Sequence, residues 1–343
     1  MASMSKELPL PYPDGWAAVA FGSELGTGKV IRTRFMDEDV VLFRTRDGVA
    51  QAVTPYCPHL GAHLGYGGRV VGDRVVCPFH GFAFDRTGAC VATGYGTRPP
   101  RVRLGTWETT EANGLVFVWY SARGVPPQWE VPSALMESFP SVMQCSRLLA
   151  THPQDTVENG IDLGHFRYIH GLTDVQEGES FSSDGHQARY ALAGVKSFPP
   201  GLLLRMEITT RLWGLGLNVV DTYFPQLGVT LRSLVTRTAT GPHQVRLRAR
   251  VSARPDAGGK PFPPTSRRFR SLAALLTAAA RPAFTSQLAL DVPVWAHKSY
   301  IPHPPLVQGD GPINLYRRWA RQFYSAAQPV DGVTVERNIS LEQ

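Results

Sequence analysis

Tyr56-Cys57-Pro58-His59-Leu60-Gly61-Ala62 and, separated from His59 by seventeen residues, Cys77-Pro78-Phe79-His80-Gly81 decide the reading of this chain. Each stretch supplies one thiolate and one imidazole. Pro58 and Pro78 stiffen two short loops, and Gly61 and Gly81 let the chain turn away again. A [2Fe–2S] centre with two Cys on one iron and two His on the other needs that donor set. Zinc is the competing reading, since Cys and His also bind it tetrahedrally. Zinc sites usually space their cysteines C-x2–4-C, however, and no two Cys here are that close.

The flanking sequence predicts short strands. Val40 to Arg46 and Val49 to Val53 flank Asp47-Gly48, a hairpin signal. Arg69 to Cys77 predicts a second hairpin that delivers the second loop, and Leu115 to Tyr120 a buried strand. Short strands with glycine-rich turns fit a small β sandwich holding the ligand loops at one end. Residues 1–130 are expected to form this domain and residues 131–343 a second, with the Pro-rich stretch Val125–Pro132 as connector. In the second, Asp155 to Ile169 predicts a helix. Residues 187–252 alternate as in an antiparallel sheet with one wet face. Ser266 to Trp295 and Ile313 to Tyr324 predict further helices. Ala257 to Pro264 predicts a loop, and Gln176 to Gln187, polar with several Ser and Gly, a mobile stretch.

The chain has 343 residues, 43% hydrophobic and 18% charged, an ordinary globular composition with length for two domains. No apolar run reaches the ~18 residues of a membrane span. Leu272 to Ala280 comes nearest and reads as a buried helix face. Met1 to Pro9 has no apolar signal core, so a cytoplasmic protein is the expectation. Of four cysteines, Cys90 and Cys145 are left over from the ligand loops and read as small buried hydrophobes rather than a disulfide scaffold. The net charge of +7 is carried by arginine, with clusters at Arg267-Arg268-Phe269-Arg270 and Arg317-Arg318-Trp319-Ala320-Arg321. These read as solvated helix faces or as a docking face for an acidic electron donor. No nucleic-acid motif accompanies them. No Gly-x-Gly-x-x-Gly fingerprint for flavin or nicotinamide is present, so a separate reductase is implied.

The second chemical segment runs Glu158-Asn159-Gly160-Ile161-Asp162-Leu163-Gly164-His165-Phe166-Arg167-Tyr168-Ile169-His170. His165 and His170 are about 140° apart on a regular helix. They converge on one metal only if the helix ends, kinks or widens between them. A two-His site needs a carboxylate to complete a facial triad with open positions. Asp291 is the leading candidate, a charge alone in Leu288–Trp295, because a buried carboxylate is costly unless paired or metal-bound. The competing reading is a capping or solvent-facing Asp just before Pro293. Asp221 and Glu207 are weaker candidates.

With both segments in view, the chain resembles the terminal oxygenase component of the Rieske non-heme iron oxygenases. The C-x-H…C-x-x-H and N-x-x-D-x-x-H-x4-H motifs stand in the family's order, and the resemblance covers nearly the whole length. It implies an α+β fold: an all-β Rieske [2Fe–2S] domain followed by a helix-grip (START-like) catalytic domain with a curved antiparallel sheet and helices. It implies that Cys57, His59, Cys77 and His80 hold the cluster, and that His165, His170 and Asp291 hold a mononuclear Fe(II). Asn159 would lie close to that iron. Asp162 would bridge the cluster of one subunit to the iron of its neighbour in a head-to-tail homotrimer. The implied co-substrate is O2. A ferredoxin or flavin reductase is the implied donor, with NAD(P)H acting only through it.

Asp291 to Leu306, Asp310-Gly311-Pro312-Ile313 and Arg318 to Tyr324 resemble the tail of 3-ketosteroid 9α-hydroxylase oxygenases and of Neverland-type cholesterol 7-desaturases. That implies hydroxylation or desaturation of a steroid- or sterol-like hydrophobic molecule. The alternatives are an oxygenase for another polycyclic or aromatic substrate, or an electron-transfer protein with a non-catalytic C-terminal domain. Phe82 departs from the Trp that often follows the second cluster His, and His63 has no assignable role. Leu203, Trp213, Leu215, Leu217, Tyr223 and Phe224 are the expected pocket residues.

Overall fold

A computed structural model describes residues 10–140, 142–257, 260–261 and 267–325. The N-terminal part is built of eleven antiparallel strands: β1 (Gly15–Phe21), β2 (Val30–Phe35), β3 (Glu38–Arg44), β4 (Ala50–Val53), β5 (Arg69–Val71), β6 (Arg74–Val76), β7 (Ala83–Phe84), β8 (Cys90–Ala92), β9 (Thr106–Trp107), β10 (Thr109–Ala112) and β11 (Leu115–Tyr120). They form three sheets, ordered β1-β11-β10, β2-β3-β4-β9 and β5-β6-β7-β8. The hairpin expected at Asp47-Gly48 joins β3 to β4, with Gly48 in the left-handed region at φ 94° that its turn requires. β11 is buried on both faces from Leu115 to Trp119, which explains its unbroken apolar run.

After the connector come β12 (Met143–Leu149), α1 (Pro153–Glu158), α2 (Leu163–Tyr168), β13 (Thr173–Asp184), β14 (Gln187–Phe198), β15 (Leu202–Trp213), β16 (Leu217–Phe224), β17 (Val229–Gly241), β18 (Gln244–Ala257), β19 (Lys260–Pro261), α3 (Arg267–His297) and α4 (Ile313–Ala320). One antiparallel sheet takes the order β12-β18-β17-β16-β15-β14-β13, with β19 pairing β18. β17 shows how period-two alternation positions the site. Val229, Leu231, Ser233, Val235 and Arg237 line a cavity under α3. On the other face Leu234 packs with Trp16 and Phe117, so the sheet joins the core of the N-terminal part. Each such side chain contributes about 1.5–3 kcal/mol by burial.

Five local expectations change. The helix expected over 155–169 is two short helices, α1 and α2, because the chain turns at Asn159–Ile161 and Asp162 starts a new helix as its N-cap. The polar stretch expected to be mobile at 176–187 is mostly β13, an edge strand whose register shifts repeatedly against β14 and blunts the edge. Leu272 to Ala280 is only half buried: Ala273 is buried and Leu276, Ala279 and Ala280 face the cavity, while Leu272 and Leu275 are exposed. At 257–264, Ala257 ends β18 and Lys260–Pro261 pair with it, while the remainder lies outside the described residues, as does Ser266. The last helix ends at Ala320 and tightens into a 3-10 turn, Arg321–Phe323.

Candidate metal centres

The two ligand loops are copies of one another. Cys57 N–H donates to Ala62 O and Gly61 N–H to Cys57 O; Cys77 N–H donates to Phe82 O and Gly81 N–H to Cys77 O. Gly61 and Gly81 sit at φ 74° and 68°, and a Cβ on Gly81 would come within 2.9 Å of Gly94 Cα. This geometry turns both thiols inward, where Cys57 and Cys77 are buried, and leaves His59 and His80 half-buried at the tips with ring centroids 4.9 Å apart. Burial pushes the Cys57 thiol up to about 11, and the neighbouring Cys77 thiol adds to this. Metal binding relieves both effects by taking the thiols as thiolates. His59 Nδ1 is buried without a protein partner, as a ligand nitrogen awaiting its metal should be.

A single tetrahedral zinc at ~2.0–2.3 Å would draw all four donor atoms within about 4 Å of one another. Among the described residues the one set with all donor atoms within 4.8 Å is His165, His170 and Asp291, so the four loop donors do not close on one ion. They fit a two-iron cluster. Phe82, the departure noted in the sequence, stacks on His59 at 4.1 Å and 12°. His63 Nδ1 accepts from Gly65 N–H and its ring meets Tyr56 and Tyr66 edge-on, supporting the first loop.

The second centre forms where α2 ends. Asp162 Oδ1 accepts His165 N–H at 2.9 Å and caps α2. Burial raises the Asp162 pKa, partly offset by that hydrogen bond. The helix stops at Tyr168, His170 N–H reaches back to His165 O over a widened turn, and Gly171 leaves at φ 63°. That ending removes the 140° obstacle, and the two rings lie 4.4 Å apart. His165 donates from Nδ1 to Asn159 O at 3.0 Å, and His170 from Nδ1 to Gln287 Oε1 at 3.1 Å. Both Nε2 atoms therefore point to the metal side, 2.7 and 3.4 Å from Asp291 Oδ1.

Asp291 is buried in mid-α3 rather than capping it, ahead of a proline inside the helix. Burial alone would raise its pKa; the hydrogen bonds and charges of His165 and His170 bring it below the ordinary value. Asp221 is instead paired with Arg211 and Arg232, and Glu207 with Arg205 on the surface, so neither reaches the triad. Gln287 escaped sequence reasoning, although its place one helical turn before Asp291 was the available signal.

The triad lines a cavity of about 500 Å3, whose other walls are largely apolar side chains of the sheet and α3. Of the six expected pocket residues only Phe224 lines it. Leu203 is exposed, Leu215 and Leu217 are core, and Trp213 packs against the interface with the N-terminal part. Period-two alternation explains the miss: the lining residues of β15 are its even positions, Leu204, Met206, Ile208 and Thr210.

Residues 118–324 match the family described as 3-Ketosteroid 9alpha-hydroxylase C-terminal domain, and residues 15–103 the Rieske [2Fe-2S] domain. The chain belongs to the Rieske oxygenases. Among this enzyme's relatives, cholesterol 7-desaturase nvd of Bombyx mori is 28% identical over 94% of this chain and 72% of its own length. The oxygenase component of 3-ketosteroid-9-alpha-monooxygenase from Rhodococcus rhodochrous is 26% identical over 92% of this chain and 85% of its own length. In fold, this Rieske oxygenase superposes on the crystal structure of dicamba monooxygenase bound to dicamba with a TM-score of 0.70, at 17% identity over 91% of this chain and 97% of that one. An oxygenase component works with an electron donor. No helix among the described residues is long and apolar enough to cross a membrane.

Proposed function

We propose that this Rieske oxygenase hydroxylates or desaturates a steroid- or sterol-like molecule. The observation that carries the reading is the apolar cavity lined in part by the His165, His170 and Asp291 constellation. The names of the relatives support the substrate class. In this proposal Cys57, His59, Cys77 and His80 hold the [2Fe–2S] cluster, and the triad holds Fe(II). Bound there, these groups supply one-electron transfer and O2 activation.

The chain's own residues do the rest. Three ligands leave coordination positions open beside the cavity. Gln287 and the Asn159 carbonyl fix the ring tautomers, and the Asn159 side chain stands 3.4 Å from His165 Nε2. The cavity walls exclude water and hold the skeleton so that one carbon meets the oxidant. Asp162, tied to the His165 backbone, is the proposed coupling residue between the cluster of one subunit and the iron of the next, in a homotrimer. A ferredoxin or a flavin reductase is the proposed donor. We also propose a division near residue 130 and a cytoplasmic location.

The test is turnover with a surrogate ferredoxin and reductase under 18O2, offering 3-ketosteroids, cholesterol and small aromatic acids in parallel. A steroid product carrying one 18O, or one new double bond, supports the reading. Oxidation of the aromatic acids alone would assign the enzyme to the other substrate class.

A further inference from the structure

Arg237 is the anomaly in the cavity. It projects from β17 into the lining, only 7% exposed, eight residues along the strand from Val229. At ~3.3 Å per residue the two are roughly 26 Å apart along the strand. One of its five N–H donors goes to Asn218 Oδ1 on β16 at 2.6 Å, and Nε is buried without a partner. Among the described residues no carboxylate pairs with it. The other charged side chains lining the cavity are engaged elsewhere: Asp291 with the two histidines, and Lys196 with the carbonyl of His170.

Two other buried arginines show what a structural role looks like here. Arg248 spends its guanidinium on the carbonyls of Ala18 and Val19, at 2.7 and 2.6 Å, tying the sheet to β1. Arg44 makes a two-pronged pair with Glu111. Arg237 makes neither arrangement. A buried cation left with one neutral acceptor is costly, and burial lowers its pKa to about 10. A planar guanidinium with free donors matches a carboxylate in two-pronged geometry.

We propose that Arg237, oriented by Asn218, is a specificity-determining anchor for a carboxylate on the substrate. The substrate class is then an acidic steroid, a fused-ring skeleton bearing a carboxylate, rather than a neutral sterol. This deepens the steroid reading and rests on it for the skeleton, but not for the acidic group.

Calorimetric titration of the metal-loaded protein at neutral pH tests both parts separately. The probes are 3-oxo-cholenic acid and its methyl ester, and, as a non-steroid pair, pyrenebutyric acid and its methyl ester. The expected result is about 10- to 100-fold tighter binding of the steroid acid than of its ester, the scale of a hydrogen-bonded charge. Arg237→Gln should abolish the difference between acid and ester, while Arg237→Lys should keep part of the preference. Equal binding of acid and ester to the unaltered protein overturns the anchor and leaves the steroid reading standing. An acid preference that persists in Arg237→Gln, with its cluster absorption intact, overturns it too. Should Arg237→Gln not fold, the acid-to-ester ratio of the unaltered protein and of Arg237→Lys decides. If neither steroid binds, the steroid reading fails, and the pyrenebutyrate pair decides the anchor: a preference for the acid keeps it, and no preference or no binding rejects it.

Discussion

Arg317→Met should destabilise the C-terminal part severely, through a carboxylate next to the candidate iron site. Arg317 on α4 grips Glu158 at the end of α1 with two bonds, Nε to Oε2 at 2.6 Å and Nη2 to Oε1 at 2.8 Å, and both side chains are almost wholly buried. It also donates to Ile301 O and lies over the Tyr300 ring. The substitution keeps the apolar stem and strands the Glu158 charge. Removing one partner of such a pair costs about 3–5 kcal/mol. Lys298, 4.0 Å from Glu158, screens part of that charge and holds the loss near the lower figure. At a urea slope of about 2 kcal/mol/M, the unfolding midpoint falls by roughly 1.5 M. The assay is urea unfolding followed by circular dichroism, with cluster absorption reporting the N-terminal part separately. Glu158→Gln combined with Arg317→Met should recover at least half of the loss, since no charge is then left unpaired. A midpoint within about 0.5 M of the unaltered protein would refute the reasoning. Because Asn159 follows Glu158 directly, the single variant should also bind Fe(II) more weakly.

Asp162→Asn keeps the helix cap, since Asn caps as well as Asp. It should retain iron and sulfide content while turnover falls about 100-fold or more, and normal turnover would remove Asp162 from the coupling role. Cys77→Ala should abolish the visible cluster colour while the circular dichroism of the large sheet persists. The buried His152 donates from Nε2 to Pro11 O and accepts at Nδ1 from Gln154 N–H, an arrangement only the neutral ring satisfies. Burial depresses its pKa from 6.5 to about 4. The unfolded chain therefore takes up a proton first on acidification. His152 contributes its full stability above pH 6.5 and loses it as the pH falls towards 4, about 3 kcal/mol in all. His152→Asn should flatten that part of the stability–pH curve, and an unchanged slope would contradict it.

The cluster loops were legible because each donor lies within a few residues of its partner and the turn chemistry is local. Two prolines, two glycines and four ligands specify both loops with no help from the rest of the chain. The triad of His165, His170 and Asp291 was legible only in part. His165 and His170 needed a helix ending that Gly171 hints at, and Asp291 lies more than a hundred residues away on another helix. The cavity lining was the least legible. In strands of twelve or more residues a one-residue change of register turns every side chain to the other face, and the apolar runs Leu202-Leu203-Leu204 and Leu215 to Leu217 do not reveal which face looks inward. Arg237 was invisible for the same reason. In sequence it is one more arginine in a basic chain, and only the fold shows it buried with no counter-charge among the described residues.

The most direct measurement is iron and acid-labile sulfide per chain after anaerobic purification, with an EPR spectrum of the reduced protein. The expected result is about three irons and two sulfides, with a cluster signal lost in Cys77→Ala and one iron lost in Asp291→Ala. Protein without acid-labile sulfide, or protein whose iron content is the same with and without Asp291 after Fe(II) is supplied, would contradict the two-centre assignment.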